Sequence, residues 1–346
     1  MKTGILTYHN AVNYGAFLQA YALQNYLLSE YCENVIIDYK NMRFTLNEYL
    51  CLISRRYPSY TWMNYRKLAA FGDDYRKLKL TPRCYRGKRL GKLHFDCVIF
   101  GSDSIWNYTN AMSGFDPVYF GKHVNSRKLI SYAASFGPDT VGDPCPRELP
   151  ELLNRFSAFG VRDTNTKAFV KELTGREAQI VLDPTFLYSF EKEMIEPRDK
   201  DYIFVYSVHL SREQGRDLQA YARSVNRKTI SVGYYSPYCD INRACVTPFE
   251  WLGYLRKADM VLTGMYHGTL FSLHFNRPFC AIGTPYRANK IRDILQRYGL
   301  QSRMVDGPQD GLADVLRTPL DFSAVNLRLQ DEIRQSREFL TRSMTS

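Results

Sequence analysis

The stretch of the chain that most restricts its fold is residues 258–280, which reads ADMVLTGMYHGTLFSLHFNRPFC. Its first apolar run, Met260–Thr263, is predicted to be a buried strand that ends in a tight turn. An apolar segment of helical spacing, Leu270–Phe275, follows the turn, and Phe279–Gly283 is the next predicted strand. His267 is therefore expected at the carboxyl end of a strand and at the amino end of a helix.

This position of His267 is one at which open α/β sheets bind ligands. The free N–H groups and the dipole of a helix N-terminus attract phosphate or carboxylate. The sequence therefore predicts an anion site there, and the alternative interpretation is a histidine satisfied within the turn.

Strand and helix patterns alternate along most of the chain. The first β-α-β unit consists of a strand at Gly4–Thr7, a helix at Ala16–Glu30 and a strand at Val35–Tyr39. It lacks a G-x-G-x-x-G motif, which argues against a bound dinucleotide. A second run of alternation begins at Tyr202. Two successive α/β halves favour two Rossmann-like domains facing a cleft.

The length of 346 residues also fits two domains better than one. The predicted N-terminal domain spans 1–187, and the polar residues 188–201, which include a proline, are the predicted linker. The C-terminal domain is predicted over 202–321 and carries the His-Gly pair. A final helix within 322–346 is expected to pack back on the N-terminal domain.

The net charge of +11 is concentrated in one segment. Residues 54–94 hold 12 Lys or Arg against two acids, a net charge of +10, together with seven Trp, Tyr or Phe. We interpret this segment as an insertion in the N-terminal domain that binds an anionic membrane surface. A solvated insertion whose aromatic residues pack on the domain is the alternative. Nucleic acid is the less favoured partner, because no nucleic-acid-binding motif accompanies the charge.

Several classes of protein and of site are disfavoured by the sequence. The first residues, MKTGILTYHN, show no charged-then-apolar leader, and no apolar run reaches the roughly 20 residues that span a bilayer. We therefore expect a cytoplasmic protein, peripheral at the inner face of the membrane. The eight cysteines form no CxxC pair, and the histidines show no metal-site spacing, so no metal or other cofactor is expected.

Two loops besides the one at His267 lie at predicted ligand-side positions. Ser102 and Asp103 follow the predicted strand Phe95–Phe100, and Asn13 and Gly15 lie where the first loop meets its helix. Asp103 is a plausible base for a hydroxyl group. Simple turn formation is the alternative for Asn13, Gly15 and Asp103.

Several stretches together resemble the polysaccharide pyruvyl transferase family. They are GILTYHNAVNYGAFLQAYALQNYL (4–27), IFGSDSIWN (99–107), ISYAASFG (130–137), VRD (161–163), VLDPTFL (181–187) and ADMVLTGMYHGTLFSLHFNRPF (258–279). The resemblance implies a GT-B-like glycosyltransferase architecture of two Rossmann-like domains. It also implies an enzyme that transfers a pyruvyl group from phosphoenolpyruvate to two hydroxyls of a sugar, forming a ketal and releasing phosphate.

The acceptor implied by the resemblance is a sugar of a bacterial-type surface polysaccharide, or its lipid-diphosphate-linked precursor. This sequence departs from the family pattern at Met265, where relatives carry Ser or Arg, and at Ser104, where some carry Gln. It also reads NKI at 289–291 in place of Ser-Arg-Ile. The methionine removes one candidate contact to phosphate.

With the resemblance, roles follow for individual residues. His267 would move protons or hold the leaving phosphate, and Asp103 would act as base. The phosphoenolpyruvate site would comprise the cations Arg162 and Lys290 and the N–H groups of Gly268 and Thr269. Contacts to the sugar acceptor are predicted for four residues: Asn13, Tyr14, Gly15 and Ser102.

Two other functions remain open at this point. One is a glycosyltransferase of the same build that uses a nucleotide sugar as donor. The other is a protein on this fold that binds glycan or lipid without catalysis.

Overall fold

The computed structural model describes residues 1–31, 33–53, 58–138, 141–208, 210–283, 288–307 and 311–345. The chain divides into two compact units. Unit 1 comprises Met1–Ser54, Tyr75–Ser189 and Gln330–Ser346, and unit 2 comprises Arg55–Asp74 and Phe190–Leu329. Each unit has its own six-stranded sheet.

The strands vary in length, and the longest has 10 residues. In chain order they are β1 (Thr3–Leu6), β2 (Asn34–Ile36), β3 (His94–Phe100), β4 (Asn125–Ala134), β5 (Ala158–Val161), β6 (Gln179–Ile180), β7 (Tyr202–Tyr206), β8 (Lys228–Val232), β9 (Ile241–Arg243), β10 (Met260–Thr263), β11 (Phe279–Ile282) and β12 (Met304–Val305).

The α-helices alternate with these strands. They are α1 (Tyr14–Tyr31), α2 (Met42–Cys51), α3 (Pro58–Tyr75), α4 (Leu149–Asn154), α5 (Thr164–Thr174), α6 (Arg212–Ser224), α7 (Pro248–Lys257), α8 (Tyr266–His274), α9 (Ala288–Arg297), α10 (Leu312–Arg317) and α11 (Ser323–Thr345).

The sheet of unit 1 has the strand order β2-β1-β3-β4-β5-β6, and all of its pairs are parallel. Because both faces of the sheet are covered, the central strand β1 is buried along its whole length. Trp106 and Phe136 lie completely buried in the main core of this unit.

The sheet of unit 2 has the order β12-β11-β10-β7-β8-β9, again with parallel pairs throughout. The helix α7 begins with a capping box, in which Thr247 and Glu250 satisfy each other's backbone N–H groups. Trp251 of this helix is fully buried and packs edge-on against Phe204 and Tyr206 of β7. The two α/β halves predicted from the alternation are thus present.

The basic segment divides between the two units. Its first residues, 54–57, lie outside the described part of the chain. Residues 58–74, which we expected in the N-terminal domain, instead group with unit 2. Lys67 is buried, where its Nζ donates to the carbonyl of Gly233 (2.9 Å), and Asp74 accepts the N–H of Phe249 (3.3 Å). Packing thus accounts for Lys67 and Asp74, whereas Trp62 and Tyr65 of the same helix are exposed.

The residues expected to form a linker are attached to unit 2. The hydroxyl of Tyr254 donates to Asp199 (2.7 Å), and Lys257 pairs with Glu196 (2.9 Å). The end of the chain is attached to unit 1, where Ser336 Oγ accepts the N–H of Leu182 (2.9 Å). Among the described residues, no helix has both the length and the apolar character needed to cross a bilayer.

Candidate functional site

The sheet of unit 2 changes direction between β7 and β10. From β7 the chain proceeds outward to β8 and β9, and it then returns to place β10 on the other side of β7. In open α/β sheets the crevice at such a switch point receives the ligand, outside the carboxyl ends of the strands. Here those ends are Tyr206 and Thr263, and the turn after Thr263 leads into α8.

Hydrogen bonds of one threonine fix the turn before α8. Thr263 Oγ1 donates to the carbonyl of Tyr206 (3.0 Å) and accepts the N–H of Met265 (3.1 Å). A Cβ atom at Gly268 would lie only 2.1 Å from Thr263 Oγ1. The first turn of α8 can therefore pack this closely on β10 only because residue 268 is a glycine.

His267 is the second residue of α8 and is 8% exposed. Its ring lies edge-on to that of Tyr266, with 5.4 Å between the centroids. The N-cap residue, Met265, provides no side-chain cap for the first N–H groups of the helix. The imidazole thus lies in the first turn of a helix, where the positive end of the dipole favours an anion.

The two N–H groups predicted to bind the donor differ in the structure. The N–H of Thr269 donates to the carbonyl of Met265 (3.2 Å) as part of the helix. That of Gly268 belongs to the first three positions of α8, which have no acceptor within the helix. Of the two, the N–H of Gly268 is therefore better placed to bind an anion, because that of Thr269 already donates within the helix.

Lys290 is the third residue of α9 and is partly exposed. Helix α9 contacts α8 within unit 2. Lys290 and His267 thus lie near the N-termini of two neighbouring helices. The four residues before α9, Thr284 to Arg287, are outside the described residues.

The sheet of unit 1 has its own switch point, between β1 and β3. The loop after β3 is fixed on several sides through Ser102. Its carbonyl accepts the hydroxyl of Thr7 (2.9 Å), its N–H donates to Gln19 Oε1 (3.1 Å), and its hydroxyl donates to Asp183 Oδ2 (3.0 Å). Ser102 is completely buried, so these bonds hold the loop against α1.

Arg162 joins two carboxylates in this part of unit 1. Its guanidinium lies 3.5 Å from Asp103 Oδ1 and 3.5 Å from Asp183 Oδ2, and it donates to Ser104 Oγ (3.2 Å). Its side chain is 3% exposed, whereas that of Asp103 is 24% exposed. The cluster has two carboxylates and one guanidinium, so its formal charge is negative. An anion would thus have to compete with these carboxylates for Arg162.

Asp103 has a φ of 78°, in the left-handed region that Asp tolerates better than most residues. Its Oδ1 accepts the N–H of Ser104 (2.7 Å), and its own N–H donates to Ser102 Oγ (2.6 Å). Local hydrogen bonds thus orient a partly exposed carboxylate at the end of β3. A side chain that acts as a general base needs both a fixed orientation and access to its substrate.

Three of the four residues predicted to contact the acceptor, Asn13, Tyr14 and Gly15, lie at the start of α1. Asn13 Oδ1 accepts the N–H of Ala16 (3.2 Å), which is the bond of an N-cap residue. Tyr14 is completely buried and Gly15 is buried. The structure thus gives Asn13 a turn-forming role, and sugar contacts by these residues stay predictions.

Comparison with known sequences identifies the family. The family model described as polysaccharide pyruvyl transferase matches residues 13–285. The chain belongs to the polysaccharide pyruvyl transferase family. The matched part includes His267, Asp103 and Arg162, whereas Lys290 lies beyond it. A comparison with curated protein sequences gave no match.

Solved structures similar to this family member share its fold at low sequence identity. UDP-N-acetylglucosamine 2-epimerase from Rickettsia bellii has a TM-score of 0.56 and 9% identity, over 99% of this chain and 97% of that chain. UDP-GlcNAc 2-epimerase from Methanocaldococcus jannaschii, in complex with UDP-GlcNAc and UDP, has a TM-score of 0.52 and 12% identity, over 99% and 100%. The predicted two-domain, GT-B-like α/β fold is confirmed.

This pyruvyl transferase family member also has a buried His–Asp pair that the sequence did not reveal. His9 Nε2 lies 3.0 Å from Asp38 Oδ1, and His9 Nδ1 lies 3.2 Å from the carbonyl of Thr7. Asp38 also accepts from Arg83 Nε (3.2 Å) and lies 4.0 Å from Lys40 Nζ. The pair lies after β1 and β2, at the ligand edge of unit 1.

Burial alone would raise the pKa of Asp38. The hydrogen bond and charge of His9, the charge of Lys40 and the hydrogen bond from Arg83 together outweigh burial and lower that pKa. Asp38 is thus a carboxylate stabilised by surrounding donors. In the described part of the chain, no group of three His, Cys, Asp or Glu side chains is arranged to hold a metal ion.

Proposed function

We propose that this protein transfers the pyruvyl group of phosphoenolpyruvate to two hydroxyls of one sugar, in a surface polysaccharide or its lipid-diphosphate-linked precursor. The observation that carries the proposal is His267 in the first turn of α8, at the switch point of unit 2 and inside the part matched by the family. A titratable imidazole beside a helix N-terminus suits a donor that bears both phosphate and carboxylate.

The proposed reaction balances without a further reactant. One sugar hydroxyl adds to C2 of the enolpyruvyl group, and C3 takes up a proton and becomes a methyl group. The C2–O bond to phosphate then breaks, and the second hydroxyl attacks C2 to close the ketal. The two hydroxyl protons end on C3 and on the released phosphate. No metal or redox cofactor is part of this scheme.

In this scheme His267 delivers or accepts a proton at the donor, and the N–H of Gly268 contacts an anionic oxygen. Lys290, near the N-terminus of the neighbouring α9, would add a positive charge for the phosphate or carboxylate. These roles are supported by the placement of all three residues at helix starts within unit 2.

For Asp103 of unit 1 we propose the role of base toward a sugar hydroxyl. Asp103 is partly exposed and is oriented by Ser102 and Ser104. Arg162, held by two carboxylates, then serves chiefly to position Asp103 and to limit the charge repulsion from Asp183. Direct binding of the donor by Arg162 would require it to leave one of these partners.

The role of His267 is tested with the variant His267→Asn. We expect phosphate release and ketal formation to fall by about 10²–10⁴-fold, the usual contribution of a general acid or base. The matched control is His274→Asn at the other end of α8, which should retain turnover. If His267→Asn is folded and turns over phosphoenolpyruvate at the wild-type rate, His267 is not part of the mechanism.

The donor class is tested without an acceptor by thermal unfolding. Binding to the folded state stabilises it by about 2.7 kcal/mol at a ligand concentration one hundred times Kd. We expect phosphoenolpyruvate to raise the melting temperature of the wild type, and sugar nucleotides to leave it unchanged. The opposite pattern would favour the glycosyltransferase function.

A further inference from the structure

Helix α2 presents large apolar side chains to solvent. Five of them, on the helix and just past its end, are at least half exposed: Met42 (61%), Leu46 (61%), Tyr49 (53%), Leu50 (54%) and Ile53 (50%). Scattered exposed apolar residues are normal, but a contiguous set marks an interaction surface.

Four of these residues, Met42, Leu46, Tyr49 and Leu50, share one face of the helix, and Ile53 follows just past its end. At 3.6 residues per turn the four fall within an arc of about 100°, the width of an ordinary core-facing stripe. We call this set the α2 stripe. A helix usually turns such a stripe toward the protein, whereas α2 turns it away.

The opposite face of α2 is bound to unit 1 by specific contacts. Phe44 stacks on Tyr8 with 5.1 Å between ring centroids. Asn47 Nδ2 donates to the carbonyl of Met112 (2.8 Å), and Glu48 Oε2 accepts the N–H of Val12 (3.1 Å). Rotating the stripe inward would break these bonds, so its exposure is built into the fold.

Arg43 lies beside the stripe on α2, and the acid of the helix does not face it. Glu48 points to the protein, whereas Arg43 is exposed on α2. Tyr75 donates to the carbonyl of Ala11 (2.5 Å), next to the residue that binds Glu48. The exposed cations directly after Tyr75 are Arg76 and Lys77.

We propose that α2 inserts the stripe into the interfacial layer of an anionic lipid membrane, with the cations after Tyr75 binding the headgroups. An apolar stripe flanked by Lys and Arg is the composition of helices that lie in a membrane interface. A symmetric contact with a second copy fits less well, because it would bring the same cations of both copies together.

This proposal relocates the membrane contact expected from the sequence. In the segment 54–94, Lys67 and Phe71 are buried, so they are not available to lipid. We assign the insertion into lipid to residues 42–53, which precede that segment. The binding of anionic headgroups is assigned to the cations after Tyr75. The proposal does not depend on pyruvyl transfer.

The test is co-sedimentation of the full chain with vesicles of equimolar phosphatidylcholine and phosphatidylglycerol. We expect binding that weakens as salt is raised and that is much weaker with phosphatidylcholine alone. The double variant Leu46→Gln/Leu50→Gln should lower the partition coefficient at least tenfold, because two side chains no longer gain from burial. Arg76→Gln/Lys77→Gln should reduce both the binding and its salt dependence.

The matched control is Leu327→Gln, which changes a leucine that is 72% exposed on α11. It should bind vesicles as the wild type does, and thermal unfolding should show that all variants are folded. Equal binding by Leu46→Gln/Leu50→Gln and the wild type would overturn the proposal. A wild type that binds no vesicles, but forms a dimer that this double variant abolishes, would assign the stripe to a second copy instead.

Discussion

At the scale of single residues, Asp38 is the buried carboxylate with the clearest electrostatic role. His9, Lys40 and Arg83 surround it, and its side chain is 5% exposed. Because its pKa is lowered by folding, the ionised form is stabilised in the folded state. That contribution is complete above the unfolded-state pKa of about 3.9 and is lost as the pH falls through the lower, folded-state pKa.

We therefore expect Asp38→Asn to lower the free energy of unfolding at neutral pH by about 1–3 kcal/mol, since it weakens a buried network. The difference between variant and wild type should shrink as the pH falls below about 4. Urea unfolding at neutral pH and through the acid range measures both effects. A difference that stayed constant down to acid pH would show that the carboxylate charge is not the stabilising feature.

Residue roles differed in how far the sequence revealed them. The position of His267 followed from a local pattern of strand, turn and helix, which the structure reproduces at Met260–Thr263 and Tyr266–His274. The pairing of His9 with Asp38 was not predictable, because neighbouring strands bring together residues that are distant in sequence. The same holds for Arg162, whose two carboxylate partners come from separate loops.

At the scale of elements, long amphipathic helices and buried strands were predicted well. Strand β10 has the predicted bounds Met260–Thr263, and the predicted helix Ala16–Glu30 lies within α1, Tyr14–Tyr31. Helix α2 was missed because Phe44 lies on the face opposite the other apolar residues, so the apolar positions do not form one clear helical stripe in the sequence. The edge strands β9 and β12 were missed because two or three residues carry no detectable period.

The contact between α8 and β10 yields a prediction for this pair of elements. Gly268→Ala would place a methyl group 2.1 Å from Thr263 Oγ1, inside a turn that also binds Tyr206 and Met265. We expect a loss of about 1–3 kcal/mol in the free energy of unfolding, typical of overpacking. We also expect a weaker thermal shift with phosphoenolpyruvate, since the first turn of α8 must move.

The matched control for this substitution is Gly72→Ala. Gly72 lies in α3 with ordinary helical backbone, and no atom lies within 4 Å of the added methyl group. Alanine there should leave stability unchanged or raise it, because alanine favours a helix. Equal stability of the two variants in urea would show that α8 can shift on β10 without cost.

At the scale of the whole molecule, the two units repeat one architectural principle. Each has a six-stranded parallel sheet whose direction changes once, and each places polar side chains after the strands at that point. The fold class was predictable because it depends on alternation along the chain. The membership of residues 58–74 in unit 2 was not predicted, since that segment joins a unit that is remote from it in sequence, whereas the return of the last helix to unit 1 was expected.

The last helix makes the end of the chain part of the core of unit 1. Phe339 is 3% exposed and lies against Tyr132 of β4, with 6.4 Å between ring centroids. A Cβ atom at Gly160 of β5 would lie 2.5 Å from the Phe339 ring, so helix and sheet are closely packed.

Phe339→Ala should therefore lower the free energy of unfolding of unit 1 by roughly 3–5 kcal/mol, the usual cost of emptying a buried phenylalanine site. In contrast, Leu327→Ala on the same helix removes an exposed side chain and should change stability little. Hydrogen exchange measured in urea should show that the backbone amides of β4 and β5 lose protection, while those of β7 and β10 in unit 2 keep theirs. Equal loss of protection in both sheets would mean that the two units unfold as one cooperative body, and no loss in either would mean that α11 is not part of the core.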